Sequence, residues 1–306
     1  MKFVSFENSS KQKSWGIWAQ NDKIADLSDL APSLLEYIRD PNRQRHDALV
    51  RERAKQGSLE VASVKFLACV PNPPSMRDGY AFRQHVEAAR RNRGVPMIEE
   101  FDHFPIFYFT NHQAVTGPGA VRVREEHLKK LDFELETAIV IGKECRNVKA
   151  SEADGVIFGY TIMNDWSARQ LQMDEMKLNL GPAKGKDFAT SLGAWLVTPE
   201  ELEAKLERGQ GGDRYKLLMT CEVNGVEVSR GNMGDMSWTF AQIIERASYG
   251  VTLYPGDVIG SGTVGTGCFL ELNGSGITNQ WLKVGDKVVL KVDGLGSLEN
   301  TIVLEG

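Results

Sequence analysis

Hydrophobic and polar positions change rhythm along this chain. In the first seventy residues, Lys2–Phe6, Trp15–Ala19, Lys23–Asp26 and Lys65–Val70 read as strands. Ser33–Arg39 and His46–Gln56 carry helical spacing, the second ending at Gly57. Pro71-Asn72-Pro73-Pro74-Ser75 follows. Proline lacks the amide hydrogen and fixes φ, so neither helix nor sheet continues through this stretch. The pattern predicts a small N-terminal α+β domain over residues 1–70 and a larger domain over 71–306. Beyond the prolines the chain is strand-rich, with turn signals at Gly117-Pro118-Gly119, Asn224-Gly225, Pro255-Gly256-Asp257 and Asp293-Gly294. Asn224-Gly225 inside Val223–Val228 predicts a hairpin. Helical spacing is confined to Ala81–Arg93, Ser167–Met176, Glu200–Glu207 and Phe240–Ser248. The class is α+β with a mixed sheet rather than regular βαβ alternation.

One stretch breaks the apolar pattern in an informative way. Residues 131–142, Leu-Asp-Phe-Glu-Leu-Glu-Thr-Ala-Ile-Val-Ile-Gly, read as a strand that ends at Gly142. Strand side chains alternate faces, so Glu134 and Glu136 project from one side. Two such carboxylates repel, and glutamate is a poor strand former. A hard divalent cation, which takes oxygen ligands, would relieve the repulsion.

Other polar groups stand where apolar ones are expected. The strand Ile157–Met163 runs into Asn164-Asp165, and a helix is expected after it. Asp165 fits an N-cap, but strand ends are also where sites are built. Arg169 and Gln172 share a helical face. Asp78 precedes a helix, as a cap would, and His85 falls on the same side two turns later. A lone histidine is more often structural than catalytic, and His46, His103, His112 and His127 have no comparable partners nearby. Gly260-Ser261-Gly262-Thr263-Val264-Gly265 matches the dinucleotide glycine pattern, but Cys268–Leu272 reads as a strand where that fingerprint needs a helix. The glycines are instead expected to form a tight loop near a ligand. Glu271 then stands alone in an apolar strand and needs a histidine or a cation as partner. Taken alone, Gly181–Phe188, with Lys184 and Lys186, reads as a solvated loop.

Composition narrows the function classes. The formal net charge is -5, so no basic footprint for nucleic acid exists. The N-terminus lacks a signal-peptide pattern, and no apolar run is long enough for a membrane span. Cys69, Cys145, Cys221 and Cys268 are scattered in apolar contexts and read as buried reduced thiols, which fits a cytoplasmic protein.

In order along the chain, Asp78-x-Tyr80-x₄-His85, Glu134-Leu135-Glu136, Met163-Asn164-Asp165-Trp166-Ser167-Ala168-Arg169-x₂-Gln172, Gly185-Lys186 with Thr190, and Ser261-Gly262-Thr263 followed by Glu271 resemble the fumarylacetoacetate hydrolase family. The resemblance spans roughly residues 70 to 300, and the N-terminal unit resembles the small domain of longer members. It implies that Asp78, Glu134, Glu136 and Asp165 bind a divalent ion, Mg²⁺ or else Ca²⁺ or Mn²⁺. It further implies His85 as general base oriented by Glu271, and Arg169, Gln172 and Lys186 as oxyanion donors. Tyr80, Tyr108, Gln172 and Thr263 would face substrate, and Lys186 and Thr190 would help hold a second cation near Asp165. A homodimer acting on a small diketo or 2-keto acid follows from the same resemblance, as does a place in aromatic amino acid catabolism, while the charge and the short apolar runs argue for no nucleic-acid or membrane partner.

The departures fall on substrate-facing positions. Met176 stands where the fumarylacetoacetate-cleaving members carry an aromatic residue, and Phe107-Tyr108-Phe109-Thr110-Asn111 replaces their Gly-Tyr-His-Gly-Arg type segment. An arginine expected nine residues after the histidine has no unique match, since Gly94 occupies that place beside Arg93. Three functions compete. The favoured one is metal-dependent hydrolysis of a carbon–carbon bond in a 1,3-diketo acid of fumarylacetoacetate or acylpyruvate type. The second is decarboxylation or isomerisation/hydration of a related 2-keto acid, such as oxaloacetate or a catechol-pathway intermediate. The third is a non-catalytic cation-binding scaffold.

Overall fold

The computed structural model describes residues 1–92 and 94–306; the alternative arginine, Arg93, lies outside the described residues. A sheet of twelve strands dominates it. Its main path runs Ile24–Asp26, Lys13–Trp18, Lys2–Glu7, Trp195–Val197, Ile157–Asp165, Leu135–Ile141, Val258–Gly260, Met76–Gly79 and Phe107–Phe109. A second sheet of five strands is ordered Val226–Asn232, Leu218–Val223, Lys287–Val292, Gly296–Leu304 and Gly119–Val123.

The central strand Leu135–Ile141 is buried at every residue. Its apolar run follows from packing on both faces. Ile139 and Ile141 face a core shared with Met219, Leu290 and Ile302 of the smaller sheet. Ala138 and Val140 face the other way, onto a cluster with Phe3, Trp15 and Tyr37. Lys2–Glu7 pairs antiparallel with Trp195–Val197, so the large sheet continues across the Pro71–Ser75 stretch into the N-terminal strands. The class is the α+β, strand-rich one that the sequence predicts.

Several elements differ locally from the expectation. The strand expected over 131–142 is interrupted: Leu131–Asp132 pairs with Ser167–Ala168, and Leu135 starts a new strand beside Ile157–Asp165. At the break, the Glu134 amide donates to Asn164 Oδ1 at 2.9 Å instead of to a backbone carbonyl. The segment read as strand 268–272 is helical over Phe269–Gly274. Its amides at Phe269 and Leu270 donate to the Asp132 carboxylate at 2.7 and 2.9 Å, which satisfies two donors left open at a helix start. The Phe133 and Phe269 rings also pack edge to face at 5.1 Å, an arrangement worth about 0.5–1.5 kcal/mol. A helix therefore does follow the glycine-rich loop, but the next strand, Lys287–Val292, belongs to the other sheet, so no dinucleotide-binding βαβ unit forms.

Lys65–Val70 keeps strand pairing only at Lys65–Phe66, and Glu200–Glu207 becomes a 3₁₀ turn over Pro199–Lys205. The expected hairpin is present, with Leu218–Val223 paired to Val226–Asn232 and positive φ at both Asn224 and Gly225. All four cysteines are free, but Cys145 is only half-buried, unlike Cys69, Cys221 and Cys268. No helix among the described residues is long and apolar enough to cross a membrane.

Candidate active site

Strand directions bring the acidic residues to one edge of the large sheet. Ile157–Asp165 and Val258–Gly260 both run antiparallel to Leu135–Ile141, so their C-terminal ends meet its start. Met76–Gly79 runs parallel to Val258–Gly260 with Asp78 opposite Gly260, and Tyr108 lies opposite Asp78 on the next strand. Asp165, Glu134, Glu136 and Asp78 converge there, all buried. Asp78 and Asp165 sit in strands and cap no helix. The following helix starts at Arg169 with Ala168 as its cap residue, and the one carrying His85 starts at Arg83. The helical relation expected between Asp78 and His85 is therefore replaced by a strand-to-helix turn. Gly260 has no room for a side chain, since a Cβ would come within 2.4 Å of Asp78 Oδ1.

Ligand oxygens of Asp78, Glu134 and Asp165 lie within 4.8 Å of one another. Burial, then Asp165, pushes the Asp78 carboxyl well above its usual range. Burial, then Asp78 and Glu134, does the same to Glu136. Burial also raises Asp165, against the pull of Lys186. Glu134 behaves oppositely. Burial works against its charge, but Lys186 and Arg169 outweigh that and hold it well below the carboxylate range. Glu136 Oε2 and Asp165 Oδ1 are buried with no hydrogen-bond partner. Orphaned anionic oxygens at the meeting point of four carboxylates fit a hard divalent cation, whose charge would replace the protons these groups otherwise keep.

The cations of the site are committed to this cluster. Lys186, expected in a solvated loop, is buried, and its Nζ donates to Glu134 Oε2 at 2.5 Å and Asp165 Oδ2 at 2.7 Å. Burial disfavours its charge, but Asp165 and Glu134 raise its pKa, so it is a protonated counter-ion without a lone pair for a metal. Lys184 is the exposed lysine of that loop. Gly185 permits the tight approach, since a Cβ there would meet the Gln172 amide nitrogen at 2.6 Å. Thr190 reaches the cluster as the backbone partner of Asp165. Arg169 donates from Nε to Asp132 Oδ2 and from Nη2 to Glu134 Oε1, each at 2.8 Å, and from Nη1 to Gln172 at 3.2 Å.

His85 and Glu271 meet across 186 positions of sequence, with Nδ1 and Oε2 2.8 Å apart and both side chains buried. Glu271 Oε1 accepts from the Thr266 amide at 2.9 Å, which fixes the carboxylate. The Tyr80 ring packs edge-on against His85 at 5.8 Å. Tyr108 donates its hydroxyl to Asp165, and Thr263 donates to Glu136 Oε1 at 3.3 Å. Of these groups, Tyr80, His85, Tyr108, Glu136 and Thr263 border a cavity of about 990 Å³ whose apolar wall includes Ile106, Met173, Met176, Leu270 and Trp281.

Sequence reasoning passed over three residues here. Asp132 has no exposed surface and accepts from Phe133, Phe269, Leu270 and Arg169. Its signal was available, since it precedes Glu134 and Glu136 at the same spacing of two. Asn164 holds the Glu134 amide, and Lys130 lines the cavity. Asn164 stands in the strand-end motif beside Asp165 without a role of its own, and nothing in the sequence places Lys130 at the cavity.

The chain is similar to several known proteins. The chain is 30% identical over 292 residues to oxaloacetate tautomerase YisK of Bacillus subtilis, covering 92% of this chain and 89% of that protein. It is 29% identical over 302 residues to 2,4-didehydro-3-deoxy-L-rhamnonate hydrolase of Sphingomonas sp., covering 97% and 94%. A solved structure of a probable 2-hydroxyhepta-2,4-diene-1,7-dioate isomerase from Mycobacterium abscessus shares the fold with a TM-score of 0.76 over the full length of both chains, at 21% identity. The family model for the fumarylacetoacetate hydrolase C-terminal region matches residues 75–303, the span that carries the carboxylate cluster and the His85–Glu271 pair. On that match, the chain belongs to the fumarylacetoacetate hydrolase family.

Proposed function

We propose that this protein is a divalent-cation-dependent enzyme that hydrolyses a carbon–carbon bond in a 1,3-diketo acid of acylpyruvate or fumarylacetoacetate type. The observation that carries this reading is the buried His85 Nδ1–Glu271 Oε2 contact of 2.8 Å beside the carboxylate cluster. A carboxylate on one ring nitrogen selects the tautomer whose other nitrogen accepts a proton, and it stabilises the imidazolium that results. His85 Nε2 would take a proton from water as the water attacks the distal carbonyl carbon. The bond to the neighbouring carbon then breaks, its electron pair leaves with the 2-keto acid fragment as an enolate, and His85 returns the proton to that carbon. The acyl fragment departs as a free acid.

Asp78, Glu134, Glu136 and Asp165 would hold the cation, with Mg²⁺ favoured by an all-oxygen donor set and Ca²⁺ or Mn²⁺ as alternatives. When bound, it supplies positive charge that polarises the keto oxygens and offsets the enolate charge. Lys186 spends two of its three N–H donors on Glu134 and Asp165, so the third remains for the oxyanion, together with the Gln172 amide. Arg169 is spent largely on Asp132 and Glu134, which makes it a positioning residue more than a free donor. Tyr80, Tyr108 and Thr263 would shape the substrate's place. The cavity of about 990 Å³ lies at the upper end of the ~300–1,000 Å³ usual for ligand sites, and its apolar outer wall suits an acyl group beyond the diketone.

A second reading, keto–enol tautomerisation of oxaloacetate, is favoured by the relative of that activity at 30% identity. There His85 would shuttle a proton between carbon and oxygen, with no attack by water. One assay separates the two. Acylpyruvates, fumarylacetoacetate and oxaloacetate are supplied with Mg²⁺, while enol absorbance and released acid are followed together. Loss of absorbance with one equivalent of acid released supports hydrolysis. Turnover of oxaloacetate alone, with no cleavage product, would replace it by the second reading.

A further inference from the structure

A second ligand cluster adjoins the same cavity through His85 and Glu134, with Cys268 buried behind them, and differs in chemistry from the first. A ring nitrogen of His85, a carboxylate oxygen of Glu134 and the thiol of Cys268 all lie within 4.8 Å of one another, and all three residues are buried. Cys268 directly precedes the helix Phe269–Gly274, whose start is fastened to Asp132, so the sulfur is held rather than mobile. His85 Nδ1 is already tied to Glu271. A carboxylate on one nitrogen of a ligating histidine fixes the ring and raises the basicity of the other, an arrangement that recurs behind metal-bound imidazoles. Glu134 accepts one hydrogen bond on each oxygen, from Arg169 and Lys186. A carboxylate has about four lone-pair sites, so capacity remains.

We infer that His85, Glu134 and Cys268 form an inhibitory site for a borderline or soft divalent cation, Zn²⁺ or Cd²⁺, which shares Glu134 with the all-oxygen carboxylate site but differs from it in its nitrogen and sulfur donors. Nitrogen, sulfur and oxygen donors match the preference of Zn²⁺, whereas the thiolate disfavours Mg²⁺ and Ca²⁺. Binding displaces the proton of the Cys268 thiol to solvent, and the thiolate then offsets part of the ion's charge. With Nδ1 held by Glu271, the ion would take the remaining ring nitrogen of His85, Nε2. The inhibitory consequence rests on the proposed role of His85 in proton transfer, but the binding does not.

The test uses the full chain loaded with Mg²⁺ and titrated with Cd²⁺, following the ultraviolet charge-transfer band of a thiolate–cadmium bond. The expected result is a band that saturates at one equivalent per chain, survives in Cys145→Ser and is lost in Cys268→Ala. Thermal melting establishes that each variant is folded, and Cys268→Ser serves as the near-isosteric second variant if alanine leaves a damaging cavity. Zn²⁺ should inhibit Mg²⁺-supported turnover of the wild type at concentrations about tenfold or more below those needed for the Cys268 variants. Absence of the band in the folded wild type, or its persistence in a folded Cys268 variant, overturns the site. A band that behaves as expected with equal Zn²⁺ sensitivity of both proteins overturns the inhibitory role. Because the band is read without substrate, failure of the proposed activity leaves the binding result interpretable.

Discussion

Asp132 and Arg169 are joined by a buried hydrogen-bonded ion pair, Nε to Oδ2 at 2.8 Å, and the same aspartate holds the start of the helix that carries Glu271. One carboxylate thus sets both the guanidinium that lies on Glu134 and the helix whose Glu271 meets His85. Removing one partner of a buried pair leaves the other charge uncompensated and costs about 3–5 kcal/mol. Asp132→Ala should therefore lower stability by roughly that amount. Denaturant unfolding measures it, and a loss below about 1 kcal/mol, the scale of an exposed pair, would contradict the assignment.

Glu136 has one oxygen on Thr263 and one without a partner. Glu136→Gln keeps the shape and removes the charge a cation would use. Mg²⁺ affinity by calorimetry and turnover should fall together. Unchanged affinity would remove Glu136 from the ligand set.

Substituting His85 is the test that separates binding from chemistry. General acid–base groups contribute typically ~10²–10⁴-fold, so His85→Ala should lose that much in kcat while Mg²⁺ affinity is retained. Glu271→Gln should lose less, because the imidazole remains but is poorly oriented. Wild-type turnover in His85→Ala would mean that another base is in use.

Lys130 tests how the substrate's far end is recognised. It lines the cavity, whereas the charges of Arg169 and Lys186 are spent on Asp132, Glu134 and Asp165. Lys130→Ala is expected to raise KM for substrates that carry a distal carboxylate, with kcat nearly unchanged, and to leave neutral-tailed acylpyruvates unaffected. Equal effects on both classes would remove it from substrate recognition.

Gly260→Ala is the steric test of the Asp78 position. The added Cβ would sit 2.4 Å from Asp78 Oδ1, so the carboxylate must move. Mg²⁺ affinity should fall with little loss of fold, read by calorimetry beside circular dichroism. Retained affinity would show that Asp78 is not needed where it stands. The homodimer that the family resemblance implies is checked separately by sedimentation, and a monomer would contradict it.

The sequence by itself determined the residue types and their order. Acidic residues in a strand context are costly wherever they are buried, so Glu134 and Glu136 stand out against Leu135 and Ile139 without any coordinates. The hairpin at Asn224-Gly225 was equally legible, because the turn demands positive φ at both positions. Local pattern failed where a distant group supplied the decisive interaction. Phe269–Gly274 is a helix because Asp132 accepts its first amides, and Lys186 is buried because Glu134 and Asp165 compensate its charge. Glu271 in its apolar segment calls for a histidine or a cation as partner, but the local pattern does not say which, and His85 taken alone reads as structural. Only the antiparallel arrangement of the central strands and the packing of that helix bring them within 2.8 Å, a contact between residues 186 positions apart that no local periodicity encodes.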